Sequence, residues 1–597
     1  MTRTFISLAA ICLFTSAAAA QTGSVEPSLG GTTPPATLEK ASDYSPAEVP
    51  PAESVLPRET IALATIPNVR DFKRRWDRSS FGQMAADPAF GPFFGDVRTR
   101  MSTLSTAFGL DVPRLWEQID GELAIGLTPS APGLALIGIA NFDADPDQAD
   151  ALIAQLESQL QQSGGKQTTI EADGRRLTSW TTEAAGRNRA QALAYYRDGG
   201  HVVFADGLSA LLDIAATRDR DASLAASDAY QRVKDETRPG VGQAAIRWYV
   251  NPAAAVDAAV TLDAGGPGVG VIRNLLDRSG LNQFRGFGGL FDLPGGGLDS
   301  VSSTYGYVEQ PAHGLLQAFV MPATSQRPPD WVKDDVSLYS QMNFQPRRLV
   351  ETVRNAVDKT RGEGAFEASV LSQTLGGSDV TVGELVELFG GPIHFAAEVP
   401  ESAADLTRQS TIVSLGVRDT KRLKDVVSRL ADGTTATTQQ AGETAVYTVP
   451  LTLQVPDGTP LTALASPELA IAAGADGLML STDSRYLVKT LAGQGSGRPL
   501  AESPDYAEIA ANFPKQTSVI NYQRQDGRFA GLYEELRRGS LPAVGTTGLL
   551  ASALGFDFKM LPPFSAMSRY LQSTGGYIVP AEEGFRIVNF ALEPRER

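Results

Sequence analysis

Three histidines are the first residues to test for chemistry, because imidazole is the commonest metal-binding side chain. His201, His313 and His394 are far apart in the sequence, and none lies in a His-Glu-x-x-His pattern. A zinc site would therefore have to be built almost wholly from carboxylates. Because His201 begins an apolar run and His394 lies inside one, we expect structural roles for both and predict no metal site.

A short acidic run is the second candidate, since Ca²⁺ needs clustered hard oxygen ligands. Asp143, Asp145 and Asp147 alternate with other residues, but a proline interrupts them and Ala154 stands where a calcium loop places a bidentate Glu. In the second half of the chain, only one of these three acids has a counterpart, namely Asp419, which matches Asp145. We interpret these acids as caps and first-turn residues of helices.

Motifs for covalent catalysis and phosphate binding are also missing. Beyond the N-terminal segment we find no Gly-x-Ser-x-Gly, no Ser-x-x-Lys in a suitable context and no Cys–His pair. The glycine-rich stretch 265–270 lacks a Walker lysine and dinucleotide spacing, and we predict a loop there. The 68 acidic residues leave a carboxylate pair for hydrolysis open. We predict no catalytic, cofactor-binding or metal-binding residue and no cofactor.

The N-terminus has the pattern of a secretory signal peptide. Arg3 precedes an apolar run, and small residues lead to a predicted cleavage after Ala20, so we assign residues 1–20 to the signal. Cys12 is the only cysteine, and Ile11 before it disfavours a lipoprotein signal, so the mature chain should contain no cysteine. We expect an exported protein, either periplasmic or extracellular.

Residues 21–57 are rich in Pro, Ser, Thr, Ala and Glu, with few large apolar side chains. Such a segment cannot bury enough apolar surface to offset its loss of conformational entropy. We predict a disordered linker over 21–57, which would act as a tether.

An internal duplication is the most informative feature of the remaining chain. Sliding the chain against itself matches Gly121 with Gly391, Asp145 with Asp419, and other apolar and glycine positions at similar separations. The matches include Gly200, Asp206 and Ile246 with Gly477, Asp483 and Ile520, and Tyr305–Val308 with Gly575–Ile578. We predict two tandem copies, 58–327 and 328–597, divided near Pro328-Pro329.

The periodicity within each copy predicts the fold class. Strand-like runs end at Asp145 or Asp419, and apolar residues at helical spacing follow. Hairpin-like pairs also occur, 122–127 with 134–140 and 303–309 with 314–321. We therefore predict an α+β protein with a mixed or antiparallel sheet in each copy and helices packed on one face.

One apolar segment allows two interpretations. Phe284, Phe287, Leu290 and Phe291 alternate with glycines, and a looser version follows Phe556 in the second copy. The segment is either ordinary core of a sheet or a mobile apolar lip over a ligand groove. The five tryptophans, which lie mostly in or beside apolar runs, are predicted to pack in the core.

Charge and hydropathy narrow the range of partners. The net charge of −16 disfavours binding to nucleic acid or to anionic lipid surfaces. No segment after the signal has the length and apolarity of a transmembrane helix. An unidentified protein or small ligand of the cell envelope is the partner that we expect.

The opening of the first copy resembles a known family. An apolar strand at 61–66, then Pro67-Asn68, a helix near Asp71–Trp76 and the turn Gly109-Leu110-Asp111 are similar to exported proteins of unknown function from planctomycete-like and related bacteria. The resemblance implies a class of exported protein but no activity and no site residues.

Three functions follow from these observations. The first is a non-catalytic binding or scaffold protein of the periplasm or cell envelope. The second is an exported hydrolase with an unmarked carboxylate or serine site, for which a buried carboxylate pair with a displaced pKa in one copy would be evidence. The third is a carrier of lipids or other hydrophobic molecules.

Overall fold

The computed structural model describes most of the chain after the linker in two compact units. It describes residues 50–97, 99, 116–130, 133–182, 191–217, 222–238, 244–262, 280–313, 316, 321–375, 377–398, 410–450, 468–493, 497–525, 529–538 and 557–594. Unit 1 lies within Ser28–Asn274 and Asn282–Glu309, and unit 2 within Leu275–Leu281 and Gln310–Arg597. The division therefore precedes the predicted boundary at Pro328.

The described part of unit 1 contains ten strands, all paired antiparallel, in the order β4-β5-β6-β7-β3-β2-β1-β8-β9-β10. The strands are β1 Ala62–Ile66, β2 Leu123–Ser130, β3 Gly133–Asn141, β4 Lys166–Ala172, β5 Arg175–Thr182, β6 Gln191–Asp198, β7 His201–Ala205, β8 Ile246–Val250, β9 Phe284–Asp292 and β10 Leu298–Val308. The helices are α1 Ala52–Val55, α2 Val69–Trp76, α3 Ser80–Ala86, α4 Asp147–Gln162, α5 Leu208–Ala216, α6 Asp228–Glu236 and α7 Pro252–Leu262.

Unit 2 has the same strand order as unit 1 over its described residues, β14-β15-β16-β17-β13-β12-β11-β18-β19-β20. Its strands are β11 Leu338–Met342, β12 Phe389–Glu398, β13 Ser410–Val417, β14 Thr437–Ala441, β15 Thr444–Pro450, β16 Glu468–Ala473, β17 Gly477–Ser481, β18 Val519–Gln523, β19 Thr574–Ala581 and β20 Gly584–Leu592. Its helices are α8 Pro346–Arg361, α9 Val382–Leu388, α10 Thr420–Asp432, α11 Ser484–Leu491, α12 Pro504–Ala510, α13 Ala530–Arg538 and α14 Phe564–Met567.

Short-range signals account for several of these elements. Asp173 and Gly174 both have positive φ, 50° and 72°, as the tight hairpin between β4 and β5 requires. Asp419 caps α10 by accepting hydrogen bonds from the backbone N–H groups of Lys421 and Arg422. The hairpin of β2 and β3 confirms the first predicted strand pair.

The fold class is α+β with antiparallel sheets, as predicted, but the helices do not lie on one face. All five residues of β7 are buried. Val202 and Phe204 pack with Leu152 and Leu156 of α4, whereas Val203 and Ala205 point to the opposite face and are equally buried. The prediction of helices on one face is therefore wrong, because a strand buried at every position needs cover on both sides.

The end of the predicted duplication is also shifted. Tyr305–Val308 lies in β10 and pairs with β9, whereas Gly575–Ile578 lies in β19. These two strands occupy different positions in their sheets, so the predicted correspondence between them is wrong. The second predicted hairpin joined 303–309 to 314–321. Residues 303–308 of the first segment lie in β10, which pairs with β9, and most of 314–321 lies outside the described residues.

Candidate functional site

A segment before the first strand of unit 1, which we call strap 1 (residues 50–57), is folded onto the sheet. Ala52 and Leu56 are fully buried, and Leu56 Cδ atoms lie against the bare Cα of Gly126 on β2. The backbone N–H of Leu224 donates to the carbonyl of Leu56 at 2.8 Å. Residues 52–57 of the predicted linker are therefore folded, because these apolar side chains find a site on the sheet that composition does not reveal.

Glu122, just before β2, holds the N-terminus of strap 1. Its carboxylate accepts a hydrogen bond from the Ala52 N–H at 2.8 Å and another from the Thr65 hydroxyl at 2.6 Å. Burial raises the pKa of Glu122 to about 7, although both hydrogen bonds favour the charged form. This residue is thus a buried group that titrates near neutral pH, and the sequence interpretation did not single it out.

Charged neighbours surround Glu122 on the helices packed around it. Glu53 of strap 1 forms an ion pair with Lys234 of α6, with 2.6 Å between Oε1 and Nζ. The charge of Glu53 raises the pKa of Glu122, and that of Lys234 lowers it. Tyr230 lies one turn before Lys234 and packs edge-on against Tyr249 of β8. The cluster joins strap 1, α6 and the sheet through polar side chains.

Unit 2 has an equivalent strap, strap 2 (residues 328–333), with different chemistry. Val332 is buried, and its carbonyl accepts a hydrogen bond from the N–H of Leu500 at 2.8 Å, as Leu56 does from Leu224. Here the ring of Trp331 packs edge-on against His394, with ring centroids 6.4 Å apart. Strap 2 is therefore held by an aromatic contact where strap 1 uses a buried carboxylate.

Both straps dock on a repeated motif that the sequence interpretation missed. Leu-Ala-x-Ser-x-x-Tyr occurs at 224–230 and again at 500–506. Leu224 and Leu500 are fully buried, and Tyr230 and Tyr506 pack edge-on against Tyr249 and Tyr522 on β8 and β18. Alignment of the two halves over this stretch alone would have found the motif.

Two of the three histidines lie buried in the sheets. His201 Nδ1 lies 2.6 Å from Asn141 Oδ1, and its Nε2 has no hydrogen-bond partner among the described residues. His394 Nδ1 lies 3.0 Å from the Tyr339 hydroxyl. Burial lowers the pKa of each to about 4, so both are neutral at physiological pH. His313 is exposed.

The acidic run at 143–147 serves the start of α4. Asp145 accepts a hydrogen bond from the Asp147 N–H at 3.2 Å, and Asp147 lies in the first helical turn. Asp143 stands near Asp120, whose carboxylate accepts from the Asp143 N–H at 2.8 Å. Within the described ranges, no three His, Cys, Asp or Glu side chains are grouped so that they could hold a metal ion.

A carboxyl pair in unit 2 is the arrangement closest to a catalytic one. Asp335 and Glu398 interact directly, and burial together with the Asp335 charge raises the pKa of Glu398 to about 7. Tyr486 and Lys489 of α11 are close enough to interact with Glu398 electrostatically. A carboxyl with a pKa raised in this way can donate a proton to a leaving group near neutral pH.

The apolar glycine segment of the first copy is the core strand β9. Gly286 and Gly288 lie under α6, and a Cβ on Gly288 would come within 2.8 Å of Val233. This close packing favours the core interpretation over a mobile lip. In unit 2 Phe558 and Phe564 lie in short helical turns instead, and Phe556 and the glycine-rich stretch 265–270 lie outside the described residues.

Comparison with known proteins gives a family of unknown function. Residues 32–249 match the family described as protein of unknown function (DUF3352), which is less than half of the chain. No curated protein matches. One solved structure, titled "Structure of crystal form III of TP0453", is 10% identical over 48% of this chain and 91% of its own, with a TM-score of 0.23. A similarity at that level supports no conclusion about fold or function.

Proposed function

We propose that the chain is an exported, non-catalytic binding or scaffold protein of the periplasm or cell envelope. It would present two copies of one unit to its partner. The observation that carries this proposal is the shared strand order, together with a strap docked on the same Leu-Ala-x-Ser-x-x-Tyr motif in both halves. Two copies of one unit offer equivalent surfaces to a partner.

Export and tethering are supported by the order of the N-terminal segments. The predicted signal at 1–20 and the Pro-rich stretch after it lead directly into strap 1, whose buried side chains anchor the chain to unit 1. None of the helices in the described part of the chain combines the length and apolarity needed to cross a bilayer.

Photo-cross-linking in cells tests the binding role. A photoreactive residue would replace Thr169 on β4 or Thr438 on β14, which occupy equivalent edges of the two sheets and are exposed. We expect adducts at both edges and none from a control position at Lys424, which is exposed on α10. Equal labelling at all three positions, or none at any, would contradict the proposal.

Native mass spectrometry of the purified protein separates this role from that of a carrier. We expect the mass of the chain without a ligand. A reproducible additional mass of a lipid or small molecule would favour the carrier instead.

A second candidate function is hydrolysis, and the Asp335–Glu398 pair favours it. If this pair acts as acid and base, turnover of an envelope substrate should fall at least about 100-fold in Glu398→Gln and in Asp335→Asn. Glu171→Gln, a change to an exposed acid of β4, is the matched control and should keep full activity.

A further inference from the structure

The strand β14 is an open edge of the sheet in unit 2. In the strand registers of unit 2, β14 pairs with β15 and with no other described strand, and β13 pairs with β12 and β17. The side chains of 437–440 are all exposed, whereas Ala441 is buried. An edge of this kind offers unpaired backbone groups to another strand.

The hairpin geometry shows which backbone groups are available. Gly442, with φ of 61°, begins a two-residue turn, so the closing pair Ala441 and Thr444 exchanges hydrogen bonds. Alternation along an antiparallel ladder then leaves Thr438 and Gln440 opposite β15 residues to which they are not hydrogen bonded. Their N–H and C=O groups therefore point away from β15, toward the open edge.

The sequence of β14 lacks the residues that usually prevent an edge strand from pairing with another strand. The ten residues 433–442 include no charged residue and no proline. The equivalent edge in unit 1, β4, carries Lys166 and Glu171 near its two ends. Charges on an edge strand disfavour pairing with a second strand, so β14 is the less protected of the two edges.

We propose that β14 pairs antiparallel with β14 of a second copy of this chain, about a two-fold axis at Gln439. Thr438 of one copy then lies opposite Gln440 of the other, and these two residues exchange two backbone hydrogen bonds. The two-fold axis repeats this pair, which gives about four hydrogen bonds in all. A chain with a net charge of −16 repels its own copies, so an uncharged edge is where two copies can approach at least electrostatic cost. This proposal goes beyond a binding role, because it assigns one edge and one partner.

The short strand predicts a reversible dimer. Sedimentation velocity of the full chain should show a shift from monomer to dimer as the concentration rises. The dimer should be stronger in about 0.5 M salt, which screens the repulsion between the acidic surfaces.

Charge variants at the two-fold axis give the sharpest test. Gln439→Lys and Gln439→Glu should each be monomeric at concentrations where the wild type is dimeric, because like charges would face each other across the axis. An equimolar mixture of the two should recover the dimer. The matched control, Thr169→Lys on β4, should dimerise like the wild type.

A second variant separates loss of pairing from loss of folding. Thr438→Pro removes an outward N–H but no hydrogen bond to β15, so it should abolish the dimer while the circular dichroism spectrum stays unchanged. A wild type that stays monomeric at every concentration and salt level would overturn the proposal. This is the result expected if β14 pairs only with strands of other proteins. Unchanged dimerisation of Gln439→Lys would also overturn it.

Discussion

Glu122 shows how one residue can carry both stability and pH dependence. The residue is 8% exposed, and its carboxyl accepts hydrogen bonds from the Thr65 hydroxyl and from the Ala52 N–H. Burial nevertheless disfavours the charged form more than these bonds favour it, so the pKa is raised from 4.5 to about 7. Nothing in the local sequence marks this residue, because its burial comes from strap 1 folding over it.

The first prediction concerns the pH dependence of unfolding. An acid whose pKa is higher in the folded than in the unfolded protein stabilises the fold while it is protonated. For Glu122 this contribution is complete below the ordinary pKa of 4.5 and is lost as the pH rises through the folded pKa of about 7. The loss should be at most about 3 kcal/mol. In Glu122→Gln this part of the pH dependence should vanish, as measured by urea unfolding at pH 5 and pH 8.

The control for this measurement is Glu171→Gln, which changes an exposed carboxyl on β4. It should keep the pH dependence of the wild type. If Glu122→Gln and the wild type lose the same stability between the two pH values, Glu122 does not titrate as described.

At the scale of elements, the straps and helix caps differ in how far their contacts reach. A cap such as Asp419 acts within three residues, through the N–H groups of Lys421 and Arg422. Strap 1 instead depends on Gly126 and Leu224, which lie far along the chain from Leu56. The caps were therefore predictable from the sequence, and the strap was not.

The second prediction is that Leu56→Ala releases strap 1. Removing a fully buried leucine side chain should cost about 2–5 kcal/mol and leave a cavity above Gly126. Hydrogen exchange of residues 50–57 should speed up markedly. Leu134→Ala, which changes a leucine that is 37% exposed, should leave that exchange unchanged; equal effects of the two would argue against a docked strap.

The third prediction concerns the cap of α10. Asp419→Ala should lower the free energy of unfolding by about 1 kcal/mol, because two backbone N–H groups lose their acceptor. Asp419→Asn keeps a side-chain oxygen and should cost clearly less. Thermal unfolding followed by circular dichroism measures both, and equal losses would show that capping is not the cause.

For the whole molecule, the fourth prediction tests export. Expression of the full chain in a bacterium should yield a protein that begins at Gln21 in an extracytoplasmic fraction. Replacing Ala18 and Ala20 by leucines should block cleavage, since the peptidase needs small residues there. Mass spectrometry of the N-terminal peptide checks both, and an unprocessed cytoplasmic chain from the unaltered sequence would contradict export.

The sequence by itself determined the features whose causes are local. It predicted the change from strand to helix at Asp145 and at Asp419 and the hairpin of β2 and β3, because capping and alternating polarity act over a few residues. It also predicted the α+β class, since that class follows from the types of element and not from their arrangement.

Only the tertiary structure decided the features that depend on distant contacts. It covered both faces of β7, docked Leu56 on Gly126 and brought Ala52 and Thr65 to Glu122. Burial and pKa depend on everything that surrounds a group, and the two hydrogen-bond donors to Glu122, Ala52 and Thr65, are 70 and 57 residues away along the chain. The candidate site was therefore decided by packing, which composition and periodicity do not encode.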